Sequence, residues 1–142
     1  MTVYAETSAV LRWLFNEPQG DEILETLRAA PKVACSRLTL IESHRAIRRA
    51  VVLEELIETD AAEVRATLAQ AAARWAVLEI SSDVASRAEQ AFPVEPVRTL
   101  DAVHLASALL LRHVIPDLVV ASTDSRVRDN ASQLGFAIFP AS

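Results

Sequence analysis

An α/β fold, a three-layer α/β/α sandwich around a mostly parallel sheet of about five strands, is predicted by two patterns in this chain. Short apolar runs rich in Val, Ile and Ala recur between longer stretches of helical periodicity. The runs are mostly apolar and do not alternate, as strands buried beneath two helical layers require.

The first strand is TVYA (2–5), followed by KVAC (32–35), AVLEI (76–80), DLVVAS (117–122) and FAIF (136–139). After the first, Thr7 to Phe15 and Asp21 to Ala30 form two short helical patterns. The breaker at 16–20 separates them, because Pro18 and Gly20 both resist helix continuation. Ser36 can cap a helix running to about Leu53. Asp60, with Glu63 three residues on, has the form of a capping box, and Val64, Leu68, Ala71 or Ala72, and Trp75 then recur at helical spacing. Further helices are expected from Ser82 or Asp83 to about Ala91, before the loop with Pro93 and Pro96, and from about Thr99 to Leu111. The last covers 125–133, before Gly135. Strands alternating with helices imply right-handed crossovers, which leave functional side chains at the C-terminal edge of the sheet. No repeat, low-complexity tract or linker divides residues 1–142, so a single domain is expected.

Composition excludes several classes. With 51% hydrophobic residues, 23% charged and only 2 Gly, the chain is far from the disordered class. A net charge of −5 excludes a broad polyanion-coating surface, but a local basic patch or a metal-filled acidic site can still engage nucleic acid. The lone Cys35, within the apolar KVAC, cannot form an intrachain disulfide and is expected to be a buried, inert thiol. That points to a reducing cytoplasm. Neither a signal-peptide pattern nor a long uninterrupted apolar stretch is present, so a cytoplasmic protein without a membrane span is expected.

Four acids fall at element boundaries that this topology can bring together. Glu6 follows the first strand, Glu42 lies in the helix after the second, Asp101 opens the apolar helix TLDAVHLASALLL, and Asp124 follows DLVVAST. Each has a local alternative: helix capping for Glu6, Asp101 and Asp124, and pairing with Arg45 or Arg49 for Glu42. Separate local roles do not explain why all four share one edge. Convergence is costly, since two carboxylates 4–5 Å apart repel by about 3–4 kcal/mol at an effective dielectric of 20. A divalent cation relieves that repulsion. Ligation by oxygen alone selects hard ions such as Mg²⁺ or Mn²⁺, whose chemistry at such a site is hydrolysis of phosphodiesters.

The motifs resemble those of PIN-domain nucleases, specifically the short VapC-type toxins of bacterial toxin–antitoxin pairs. The resemblance rests on Glu6-Thr7-Ser8, where the family usually has aspartate-threonine-serine, and on LTLIESHRAI around Glu42. It continues through LDAVHLASAL (100–109) and VVASTDSRVRDNASQLGF (119–136), so order and spacing fit across nearly the whole chain. It implies a Mg²⁺- or Mn²⁺-dependent endoribonuclease with Glu6, Glu42, Asp101 and Asp124 in its pocket and Ser8 and Thr123 as supporting hydroxyls. It also implies a small antitoxin partner that presents Arg to the acids, and a homodimer.

Other polar residues are weighed against simpler roles. His104 could be a general base, but its apolar surroundings favour a hydrogen-bonded core residue. Arg45, Arg48 and Arg49 of HRAIRR could hold RNA phosphates or be solvated helix charges. Trp13 and Trp75 fit packing better than base stacking, and Asp83, Asp117 and Asp129 fit ordinary helix and strand positions. Two competing functions remain. One is a PIN-like binding module with weakened catalysis, because the extra methylene of Glu6 displaces its carboxylate by about a bond length. The other is a metal-dependent phosphatase, disfavoured because no D-x-D motif accompanies the first strand.

Overall fold

The computed structural model describes residues 1–141. Its elements are β1 (Thr2–Ala5), α1 (Thr7–Leu14), α2 (Gly20–Ala29), β2 (Lys32–Ser36), α3 (Arg37–Val52), α4 (Glu58–Ala72), β3 (Ala76–Leu78), α5 (Ser82–Ala88), α6 (Thr99–Val114), β4 (Val119–Ala121), α7 (Ser125–Gln133) and β5 (Ala137–Phe139). The strands form one sheet in the order β3-β2-β1-β4-β5, with every pairing parallel. The predicted three-layer sandwich is therefore observed.

Alternation along β1 divides the core between two faces. Val3 and Ala5 join Ala9, Val10, Ile23, Leu27, Val33, Cys35, Ile47 and Leu68, packing the sheet against α1 to α4. Tyr4 points the other way, into Phe92, Leu105, Leu118, Val120, Val127 and Phe136, beneath α6 and α7. Each fully buried Val, Leu or Ile contributes about 1.5–3 kcal/mol. Truncating Ile23, fully inaccessible in the first cluster, to Ala would cost about 2–5 kcal/mol. Trp13 and Trp75 pack against that same cluster with ring centroids 6.3 Å apart, in keeping with the packing role.

Several boundaries differ from the sequence reading. The helix expected from Asp60 starts at Glu58, with Ile57 at its N-cap, so Asp60 and Glu63 form no capping box. Glu58 and Asp60 instead lie in the first turn, where the helix dipole favours acids. The helix expected to stop at Leu111 runs on to Val114 and ends before Pro116, and α5 stops at Ala88, short of Ala91. The third strand ends at Leu78, which pairs with Ser36 at the end of β2, and Glu79 beyond it pairs with Arg37 at 2.6 Å. The fourth begins only at Val119. Gly20 is dictated by contact: a Cβ there would lie 2.3 Å from the Arg12 carbonyl oxygen, so α1 and α2 can cross this closely only over glycine.

The order of strands places the functional edge. The chain moves outward from β1 through β2 to β3, then returns to add β4 and β5 on the other side of β1. Between β1 and β4 the direction of winding reverses, and in sheets of this kind the crevice at such a reversal lies outside the strands' C-terminal ends.

Candidate active site

Glu6 and Asp124 follow β1 and β4, the two strands that flank this crevice. The ladder extends one step beyond β1, with the Glu6 N–H donating to the Ala121 carbonyl at 3.0 Å. Glu6 then serves as N-cap of α1, and its Oε2 accepts from Ser8 N at 3.0 Å. Oε1 accepts two hydroxyls, Ser8 at 2.6 Å and Ser122 at 2.5 Å. A carboxylate only 4% exposed is thus satisfied by three donors. Ser8 ties the two strand ends together, since its Oγ also accepts from the N–H groups of Thr123 (2.8 Å) and Asp124 (3.2 Å).

Glu42 reaches the crevice from α3. Its Oε1 accepts from Thr7 Oγ1 at 2.6 Å and lies 2.7 Å from His104 Nε2. Because the Thr7 proton is committed to Glu42, the Nε2 beside both groups must carry the proton of the histidine. His104 Nδ1 then accepts from Tyr4 OH at 2.9 Å, so one neutral tautomer satisfies every contact of a side chain 2% exposed. Burial first, and then the Glu6 charge, push the Tyr4 phenol well above its ordinary value, so that it keeps this proton. For Glu42 burial acts upward. The hydrogen bonds from His104 and Thr7, with the charge of Arg98, outweigh it and hold the carboxyl below the usual carboxylate range.

Asp101 and Asp124 are joined by Arg98, the residue before α6. Arg98 Nε lies 3.1 Å from Asp101 Oδ2, and its terminal nitrogen lies 3.6 Å from Asp124 Oδ2. The other Asp124 oxygen caps α7, accepting from Arg126 N at 2.9 Å and Val127 N at 3.1 Å.

Comparison with known proteins gives this arrangement its family. The PIN domain family matches residues 3–132. Ribonuclease VapC35 of Mycobacterium tuberculosis is 32% identical over 138 residues, covering 96% of this chain and 94% of its own. Ribonuclease VapC46 of the same organism is 31% identical over 137 residues, covering 96% and 95%. The chain belongs to the PIN-domain family, in its VapC group. Among solved structures, a chain of a toxin–antitoxin complex from Klebsiella pneumoniae superposes with a TM-score of 0.63 at 20% identity, covering 94% of this chain and 92% of its own. VapC20 of M. tuberculosis, described as a sarcin-ricin loop cleaving toxin, gives 0.64 at 14% identity, covering 95% and 96%. At these identities the two likenesses speak to the fold alone.

In this PIN domain the four acids all face the same crevice edge, yet they are linked in two pairs. His104 stands between Glu6 and Glu42, its Nε2 being 3.9 Å from Glu6 Oε2, and Arg98 stands between Asp101 and Asp124. Among the described residues, no three of His, Cys, Asp or Glu are grouped to hold a metal ion as they stand. The donor chemistry fits a hard divalent cation, since every acid offers oxygen and Arg98 shows that a cation is accommodated between two of them.

The supporting residues differ from the sequence reading in part. Ser8 has the expected place, but the second hydroxyl on Glu6 comes from Ser122, and Thr123 contributes its backbone N–H. Thr7 and Arg98 were not anticipated as site residues. His104 is a hydrogen-bonded core residue, as expected. Arg45, Arg48 and Arg49 are exposed on α3, but the ion pairs with Asp101 and Asp124 are made by Arg98. Asp129 is exposed on α7, and Asp117 pairs with the N-terminal amine at 3.9 Å, away from the crevice.

Proposed function

We propose that this PIN domain is an endoribonuclease toxin, dependent on Mg²⁺ or Mn²⁺ and held in check by a small protein antitoxin. The observation that carries the reading is the placement of Glu6, Glu42, Asp101 and Asp124 on one crevice edge at the sheet's winding reversal, in a chain 32% identical to a ribonuclease over 96% of its length. Glu6, Glu42, Asp101 and Asp124 would hold the cation, which when bound supplies positive charge against water and phosphate oxygens.

The residues of the chain supply the rest. Glu42, held below the usual carboxylate range, is a weak base, so its role is to stay charged and accept hydrogen bonds from water. Thr7 and His104 fix its orientation. Exposed Arg45, Arg48 and Arg49, on the same helix as Glu42, provide sequence-independent contacts to phosphates. Relatives in fold include a chain from a toxin–antitoxin complex, which supports an antitoxin partner. In this reading the chain acts as a homodimer in the cytoplasm, where RNA is found.

Purified, antitoxin-free protein should cleave RNA when Mn²⁺ or Mg²⁺ is added, and Asp101→Asn should lower the rate by about 10²-fold or more. Cleavage in excess EDTA, or an unaffected Asp101→Asn variant, would overturn this mechanism. One observation favours a second reading, a binding module with little catalysis. Both Glu6 oxygens are engaged by Ser8 and Ser122, which draws the longer side chain toward α1. Tight RNA or antitoxin binding without cleavage would establish it.

A further inference from the structure

We propose that Arg98 is a built-in counter-ion of the crevice, occupying the position between Asp101 and Asp124 that a divalent cation must take, and thereby setting the metal affinity of the site. The inference rests on the metal dependence argued above.

The same two oxygens are at issue in both cases. Asp124 Oδ1 is committed to capping α7, which leaves Oδ2 as the oxygen facing the crevice, and Oδ2 is the atom nearest Arg98. At Asp101 it is again Oδ2 that receives the guanidinium. The acids are the fixed part of the arrangement, with side chains 13% and 29% exposed, whereas Arg98 is 63% exposed. The guanidinium can therefore withdraw into solvent without disturbing the core, and the carboxylates remain behind.

The loop carrying Arg98 is irregular but anchored. Glu95 folds back to accept from Phe92 N at 2.9 Å and Val97 N at 2.8 Å. Buried Asn130 of α7 bonds both backbone groups of Val94, at 2.8 Å and 3.0 Å. Phe92 is buried in the second core cluster. Arg98 is thus delivered to the acids by a fixed strap. Its charge also acts on a third acid, Glu42, so one arginine faces three of the four carboxylates before any metal arrives.

The test is Mn²⁺ binding to the antitoxin-free protein by titration calorimetry, with melting temperatures in EDTA and in saturating Mn²⁺. Arg98→Gln should bind Mn²⁺ about three- to tenfold more tightly, because each exposed ion pair that the metal displaces is worth a small factor. It should melt below the unsubstituted protein in EDTA, and that gap should shrink when Mn²⁺ saturates. Arg98→Lys keeps the charge but loses the fork, and should fall between them. Equal or weaker Mn²⁺ binding by Arg98→Gln overturns the role of Arg98 alone. Absence of Mn²⁺ binding in both proteins overturns the metal reading, and the counter-ion role with it.

Discussion

His104 Nε2 donates to Glu42 Oε1 across 2.7 Å from inside the core, so the orientation of one crevice acid is set by a histidine 2% exposed. Removing the imidazole leaves Glu42 Oε1 with Thr7 as its one remaining donor and takes this acceptor from Tyr4 OH. A buried polar group that loses its partner costs about 1–3 kcal/mol, and the cavity adds to this. His104→Ala should therefore lower unfolding stability by about 3–5 kcal/mol, measured by urea titration. The milder His104→Gln should slow RNA cleavage while keeping most of the folding stability. Unchanged cleavage by a folded His104→Gln variant would show that the imidazole does not orient Glu42 for the reaction.

Ser8 Oγ bridges the two strand ends, donating to Glu6 and accepting from the amides of Thr123 and Asp124. Ser8→Ala should reduce cleavage by about 10- to 100-fold, the usual effect of removing a group that orients a ligand. Ser122→Ala removes the other hydroxyl on the same Glu6 oxygen, so the two substitutions share a partner and should not combine additively. A double-mutant cycle in stability and rate measures that coupling. Strict additivity would show that each hydroxyl acts alone.

What could be seen in the sequence follows from how local each cause is. β1 and β2 were legible to within a residue because an apolar run four residues long, with helices on either side, has few other uses. The ends of the third and fourth strands were not. The third ends where its neighbour β2 ends, at the pairing of Leu78 with Ser36, a partner distant in sequence. At the site, the acids stood out because each falls at an element boundary. Ser122 was hidden beside Thr123, since which of two adjacent hydroxyls faces Glu6 depends on the strand's register. Arg98 was hidden for another reason: its loop is held by Asn130 and Glu95, and no helix or strand pattern extends into it.

Cys35 supplies a prediction at alkaline pH. Burial in the first core cluster pushes its thiol up from 9.0 to about 12. Below pH 9 the thiol is protonated in both folded and unfolded chains, and its full contribution is present. Between 9 and 12 the unfolded chain releases the proton and the folded chain keeps it, so stability declines as pH rises, by up to about 1.4 kcal/mol per unit. Cys35→Ala should be less stable at pH 7 from lost packing, yet should show a shallower decline above pH 9. Urea unfolding at pH 7, 9 and 10.5 compares the two slopes. Parallel slopes would remove Cys35 as a cause, and fast reaction of the native thiol with a disulfide reagent would contradict its burial.

Glu6 stands where the motif it resembles usually has aspartate, and shortening it tests what the longer side chain does. As it stands, the carboxylate reaches back to the Ser8 amide and accepts both serine hydroxyls, which favours the metal-free fold. Aspartate, one methylene shorter, would move the oxygens by about a bond length, and a displacement on that scale can change a rate by about 10²-fold. Glu6→Asp should therefore lose stability in EDTA, as the hydrogen bonds to Ser8 and Ser122 lengthen, and gain cleavage rate in saturating Mn²⁺. Single-turnover cleavage separates that gain from changes in RNA binding. A slower Glu6→Asp variant would show that Ser8, Ser122 and the crevice have adjusted to glutamate, so that the longer side chain is the productive one here.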